Sequence, residues 1–281
     1  MKSQFPLLLL LLGLTSLCGA KPTVNRWAAV KQPTTAGGIA QSIGKYTAGC
    51  LRGAIRLPAD GEGFQAMRLS RKRLFGHPDL IRFIEKMGHN AIARGWGPLL
   101  IGDLGQPRGG PTLTGHSSHQ TGLDVDIWYL LSKQAAIRSL TAKERETWNA
   151  PSMLRAKSDK LDLSEWSPVH EQVLKTAALM PEVERIFVNP SIKRWLCDNE
   201  TDRTWLNKIR PWWGHDDHFH VRLKCPEHNP DCSSQEAVPS GAGCDATLDW
   251  WFSDEARLAL VKKGPVVKPT LPPQCESVLN D

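Results

Sequence analysis

Two short windows of this 281-residue sequence hold residue types that can bind a metal ion or move a proton. The first is Gly115-His116-Ser117-Ser118-His119-Gln120-Thr121-Gly122-Leu123-Asp124-Val125-Asp126, and the second is His215-Asp216-Asp217-His218-Phe219-His220. Five of the nine histidines fall inside them, beside several aspartates. Imidazole and carboxylate groups are ligands for divalent ions such as zinc, and the absence of any Cys-x-x-Cys pair argues against a closed structural site. His119, Asp126 and His220 form the candidate ligand set, three groups with a fourth position left open, as in catalytic zinc sites. One histidine alone is more often a hydrogen-bonded structural residue; the clustering is what carries the argument.

Zinc held by two neutral imidazoles and a carboxylate keeps a water whose pKa can fall to about 7. The sequence has no His-Glu-x-x-His, so no glutamate sits in the usual place to take that water's proton. His218 shares a strand face with His220 and is the candidate base and later acid, with His215 in reserve. His116, Asp124, Asp216 and Asp217 are candidates for orienting the rings or contacting substrate.

These groups need elements to hold them. After Gly122, apolar Leu123, Val125 and Ile127 alternate with Asp124, Asp126 and Trp128, the pattern of a strand with both aspartates on one side. Phe219, Val221 and Leu223 alternate likewise with His218, His220 and Arg222. Two such strands side by side would bring Asp126 and His220 together. Pro78 to Arg94 reads as a helix with Pro at its first position, an apolar stripe from Leu80 to Met87, and Gly95 as its stop. Pro98–Asp103 and Val183–Val188 read as strands. Ala136–Thr147, Pro168–Met180, Ile192–Cys197 and Asp202–Ile209 read as helical, and residues 21–60 as extended or loop structure. A Gly/Pro-rich loop through Gly110 precedes the first window and is a candidate cleft wall. Eleven tryptophans stand against two tyrosines. Trp212 and Trp213 precede the second window, where an indole could pack on a sugar or peptide stem, although at least one of the two is expected in the core. The expected fold class is α+β: a small antiparallel sheet carrying the site, flanked by helices and long disulfide-tied loops.

Residues 1–20 combine Lys2, an apolar run through Leu12 and the small-residue end Cys18-Gly19-Ala20, which fits a secretory signal cut after Ala20. A lipoprotein alternative would modify Cys18, but Leu17 precedes it poorly. No other apolar stretch is long enough for a membrane span. The rest, 21–281, is expected to form a single domain with a Pro-rich tail. Six further cysteines, Cys50, Cys197, Cys225, Cys232, Cys244 and Cys275, suit three disulfides in an oxidising compartment, with 15 pairings open. Lys2 is the one charged residue of the leader, so its loss lowers the net charge from +6 to +5. That balance suits a polyanionic neighbour such as cell wall, while no basic run is interleaved with aromatics as nucleic-acid binding requires. Ser42-Ile43-Gly44-Lys45 matches the S-x-x-K of penicillin-binding enzymes, but neither K-T-G nor S-D-N accompanies it.

Ser117-x-His119-x-x-Gly122-x-x-x-Asp126 with a distant His218-x-His220 resembles the zinc peptidase group that includes lysostaphin-type and D-Ala-D-Ala peptidases and hedgehog domains. The wider context resembles the penicillin-insensitive murein endopeptidases. It comprises Ala40-Gln41-Ser42-Ile43-Gly44, Phe75-Gly76-His77-Pro78-Asp79-Leu80, Arg185-Ile186-Phe187-Val188-Asn189-Pro190 and His218-Phe219-His220-Val221-Arg222-Leu223, spread over nearly the whole mature chain. The resemblance implies zinc on His119, Asp126 and His220, a catalytic His218, and His215 in the active site. It also implies disulfides Cys50–Cys275, Cys197–Cys244 and Cys225–Cys232, a homodimer in the periplasm, and cleavage of D-alanyl–diaminopimelate cross-links in peptidoglycan. Some members build a further metal position from the residue matching His116 and an Asp/His pair; Lys157–Asp162 here offers aspartates but no histidine. Competing readings are a zinc D,D-carboxypeptidase and a non-catalytic wall-binding module that retains the zinc.

Overall fold

The computed structural model describes residues 23–35, 38–114, 117–261 and 270–281. The leader at 1–20 and His116 therefore lie outside the described residues. The chain opens with helix α1 (Thr23–Ala29) and a hairpin, β1 (Gln41–Lys45) with β2 (Ala48–Arg52), followed by β3 (Ile55–Arg56), β4 (Asp60–Gly61), β5 (Phe64–Ala66) and β6 (Phe75–Gly76). Helix α2 (Pro78–Ala93) leads to β7 (Leu99–Ile101) and β8 (Asp124–Trp128), then to α3 (Lys133–Ile137), α4 (Ala142–Thr147) and α5 (Pro168–Leu179). Next come β9 (Val183–Val188), α6 (Pro190–Asn199), β10 (Ile209–Pro211) and β11 (His218–Leu223). Helices α7 (Ala246–Asp249), α8 (Asp254–Val261) and α9 (Gln274–Asn280) close the chain.

The expected α+β class is what the chain adopts. Its main sheet has seven strands in the order β10-β9-β11-β8-β7-β5-β4. The four central strands, β9-β11-β8-β7, are antiparallel, and parallel pairs β10/β9 and β5/β7 extend the sheet beyond the small antiparallel one expected. One face carries Val125, Ile127, Phe219, Val221 and Ile186 into a core shared with α2 and α5. Burying such side chains stabilises the fold by roughly 1.5–3 kcal/mol each. The helix at Pro78 begins as expected: His77 caps it by accepting from the Asp79 N–H, and Pro78 takes the first turn.

Three segments depart from expectation. Residues 21–60, expected as extended or loop structure, also hold the helix α1. The hairpin shows no alternation because both its faces are covered: Ser42 is buried and its hydroxyl donates to the Thr121 carbonyl, while its N–H donates to Asn229 Oδ1. That bonding makes Ser42 structural and removes it as a nucleophile. The single helix expected over 136–147 is two, α3 and α4. Arg138 is extended between them, and the Thr141 hydroxyl with the Glu144 carboxylate forms a capping box that restarts the helix. Residues 202–209 form a 3-10 turn, Thr204–Lys208, running straight into β10.

All three disulfides implied by the resemblance are present: Cys50–Cys275, Cys197–Cys244 and Cys225–Cys232. The first ties α9 to β2 in a cluster with Trp27, Ile43, Val278 and Leu279.

Candidate active site

Strands β8 and β11 pair so that Asp126 faces His220 and Asp124 faces Arg222, and β9 sets Phe187 opposite His220. Directly opposed residues share a sheet face, so Asp126, His220 and Phe187 form one row across three strands. Asp124 and Arg222 form the row beside it.

His119 reaches this row from the loop before β8. Its backbone is left-handed, φ 65°, an uncommon conformation for a residue with a Cβ. The surroundings hold it there. Gln120 donates its N–H to Tyr46 O at 3.3 Å and its side-chain amide to Thr47 O at 2.8 Å, and its Oε1 accepts from Gly49 N at 3.2 Å. Gly110 N–H donates to the Gln120 carbonyl at 2.9 Å. A Cβ on Gly109, φ 64°, would stand 2.0 Å from that carbonyl, and one on Gly122, φ 69°, would stand 2.3 Å from Leu51 Cδ2. Both positions need glycine for conformation and for room.

The result is a buried cluster of His119, Asp126 and His220, each offering one ligand atom, all within 4.8 Å of one another. Asp126 Oδ1 lies 3.5 Å from His119 Nε2 and 3.3 Å from His220 Nδ1. Ligands on tetrahedral bonds of about 2.0–2.1 Å stand about 3.3–3.4 Å apart, so Asp126 already stands at metal-ligand spacing from both imidazoles. His220 is prepared for that task. Its Nε2–H donates to Asp124 Oδ1 at 2.6 Å, which leaves the Nδ1 lone pair facing Asp126. The same Asp124 oxygen accepts from Arg222 Nε at 2.7 Å, and the Arg222 guanidinium lies 3.6 Å from the centroid of the Tyr46 ring. Burial would raise the Asp124 carboxyl, but Arg222 and His220 hold it well below the usual carboxylate range.

The histidines differ electrostatically. Burial favours the neutral form of His119, the form that can take a metal, by lowering its pKa against the pull of Asp126. At His220 burial also opposes charge, but Asp124 and Asp126 overcome it and push the ring up. The two carboxylates thus favour a positive charge at that nitrogen, whether proton or metal. If the cluster holds a divalent ion such as zinc, Asp124→Asn is expected to weaken that binding by about 10–100-fold while the sheet stays intact. Competition with a chromophoric chelator would measure it, and an unchanged affinity would show that Asp124 does not orient the ring.

His218 stands at the rim of the cluster. Its Nδ1 meets Asp217 Oδ1 at 2.5 Å, and its Nε2 lies 3.8 Å from Asp126 Oδ1. Burial opposes its protonation, but Asp126 and Asp217 together raise its pKa. The ring of His215 is 4.9 Å from that of His218 and 6.0 Å from that of His220. Burial, then the neighbouring His218 and His220, lower His215 to about 3, so it is neutral near pH 7. Its Nδ1–H donates to Trp213 O at 3.0 Å.

Among the described residues the two windows of the sequence thus converge on one site, with one exception among the secondary candidates. Asp216 turns away, its carboxylate accepting from the Ser152 hydroxyl. The segment compared with a second metal position also lies apart from the cluster: Asp159 pairs with Arg257, and Asp162 caps the turn at Ser164. Arg222 and Phe187 were missed as site residues, although their places in alternating strands were readable. The expectation that Trp212 or Trp213 joins the core is overturned, since Trp212 is 54% exposed and Trp213 half-buried. The other described histidines, His77, His89, His170 and His228, lie outside the cluster. His170, for example, is bonded at both nitrogens, to Ser167 and to Tyr129 O.

The family model described as penicillin-insensitive murein endopeptidase matches residues 42–280, a span from β1 through α9. Among curated relatives, the protein of that name from Yersinia enterocolitica is 40% identical over 282 residues, covering 100% of this chain and 98% of its own. The one from Klebsiella pneumoniae strain 342 is 42% identical over 284 residues, covering 100% and 99%. The Haemophilus influenzae protein is 43% identical over 256 residues, covering 90% and 88%. With matches of this length at both levels, and with the paired windows folded into one buried cluster, the chain belongs to the penicillin-insensitive murein endopeptidase family of peptidases.

Proposed function

We propose that the protein is a zinc-dependent endopeptidase of the periplasm that hydrolyses D-alanyl–diaminopimelate cross-links between peptidoglycan stem peptides. The observation that carries this reading is the direct register of Asp126 with His220, which gives three buried donors at metal-ligand spacing beside a histidine that can exchange a proton. Zinc held by His119, Asp126 and His220 would supply a Lewis acid that polarises the scissile carbonyl and makes a water nucleophilic near neutral pH.

The chain's own groups would do the rest. His218 Nε2 accepts the proton of the attacking water and passes it to the departing amine. Asp217 fixes the opposite nitrogen of that ring and supports its charge. His215, kept neutral, presents Nε2 as an acceptor for a substrate N–H. Asp124 and Arg222 hold the His220 ring. Hydrolysis by water passes through no acyl-enzyme, so a β-lactam finds no serine to trap, consistent with the structural role of Ser42. Export through the 1–20 leader would place the enzyme where its substrate is and where its three disulfides persist. Among the described residues no helix is long and apolar enough to cross a membrane.

Muropeptide mapping tests the reading. The purified protein is expected to convert cross-linked dimers to monomers, to stop with chelator and to recover with zinc. Conversion that continues at full rate after metal removal would exclude the metal mechanism. Shortening of monomeric pentapeptides with dimers left intact would identify a carboxypeptidase instead.

A further inference from the structure

The mechanism leaves one surface unused. Trp212 is 54% exposed and Trp250 39% exposed, although indoles are costly to leave in water. Trp251 joins them, with ring centroids 6.0 Å from Trp212, 5.5 Å from Trp250 and 5.3 Å from Trp213. The group is also continuous with the candidate active site. Phe187 meets Trp212 edge-on at 5.9 Å and His220 edge-on at 5.4 Å, so two ring contacts separate an exposed indole from a ligand of the metal cluster.

The surface is braced from below by α6. Arg194 pairs with Asp249 and sits 5.1 Å from the centre of the Phe252 ring. Buried Lys193 donates to Leu206 O at 2.7 Å and Ala242 O at 2.5 Å, and Cys197 is bonded to Cys244. On the other side, Trp212 N–H donates to Val188 O at 2.9 Å, and Asn189 binds the carbonyls of Gly214 and His215. Exposed aromatic faces held this firmly form a platform that exists before any ligand arrives.

We propose that Trp212 and Trp250, linked through Trp251, form a saccharide-stacking platform that seats a murein glycan strand beside the peptidase centre. This rests on the function proposed above and extends it from the peptide to the sugar that carries it. Flat indole faces match the apolar C–H faces of pyranose rings and need no enclosing pocket. The reach also agrees. A stem peptide links its glycan to the cross-link through a few residues, and extended residues span about 3.3 Å each, comparable with the two ring contacts between Trp212 and His220.

Two substrates separate the sugar from the peptide: cross-linked muropeptides that keep their glycan, and the same cross-linked peptides stripped of it. In Trp212→Ala and Trp250→Ala, the ratio of kcat/KM for the glycan-bearing over the stripped substrate is expected to fall about tenfold, the loss of one ring-stacking contact. Trp212→Phe, which keeps a flat ring, should retain most of it. An N-acetylglucosamine tetramer should quench tryptophan fluorescence in the parent protein and do so more weakly in both alanine variants. An unchanged ratio in both variants overturns the proposal, as does a shift in sedimentation that marks the patch as a contact between two copies of the chain. If the parent cuts neither substrate, the proposed function fails, and the tetramer titration still decides whether the platform binds sugar.

Discussion

Asp126→Ala is expected to leave the purified protein with less than about a tenth of an equivalent of zinc and to lower hydrolysis of cross-linked dimers by about 10⁴-fold or more. The reason is its central place. One of its oxygens lies 3.5 Å from His119 Nε2 and 3.3 Å from His220 Nδ1, and no other donor in the cluster neighbours both. Removing it also strips the charge that helps His218 and His220 to hold protons. The backbone at this position is secured independently, through the Asp126 N–H to Asp103 O and the β8–β11 register, so the sheet should survive the change. Elemental analysis paired with circular dichroism would separate lost metal from lost fold. A folded Asp126→Ala protein that keeps a full equivalent of zinc would show the ligand set to be wrong. His119→Ala and His220→Ala should behave alike.

His218→Ala should give the opposite pairing, metal retained and turnover lost. Its ring stands at the rim of the cluster, with one nitrogen on Asp217 and the other directed toward Asp126. General acid–base groups contribute about 10²–10⁴-fold, so kcat should fall by that factor with zinc content unchanged. Wild-type turnover in the variant would remove His218 from the proton path and leave His215 to be tested next. Because burial lowers His215 to about 3, that ring is neutral near pH 7 but too weakly basic to hold the water's proton, and His215→Ala is expected to cost less than His218→Ala.

Much of this site was legible in the sequence because strands write their faces into alternation. Leu123 to Trp128 and His218 to Leu223 each show a clear period of two, which puts Asp124 with Asp126 and His218 with His220 on shared strand faces. Register was not legible. Nothing local says that Asp126 faces His220 rather than a residue two places away, and the order of seven strands depends on contacts far apart in sequence. The hairpin that braces His119 was also hidden, because a two-stranded unit covered on both sides shows no polar face. The break between α3 and α4, by contrast, was written in Thr141-x-x-Glu144, a capping signal that the longer helical composition overrode. The tryptophans escaped for a different reason: composition favours the interior for an indole, and exposure is decided by tertiary neighbours. Disulfide pairing needed the resemblance, since spacing alone leaves every combination open.

The bond between Cys50 and Cys275 has a consequence in time. It joins residues 225 apart in sequence. Translation runs from Cys50 toward Cys275, so the brace under Gln120 gains its clamp only after the intervening chain has been made. Arg108 follows the same order, since its guanidinium waits for the carbonyls of Val278 and Leu279. A nascent or truncated chain that stops short of Cys275 would carry every ligand candidate and still lack the bond that stiffens the hairpin beneath them.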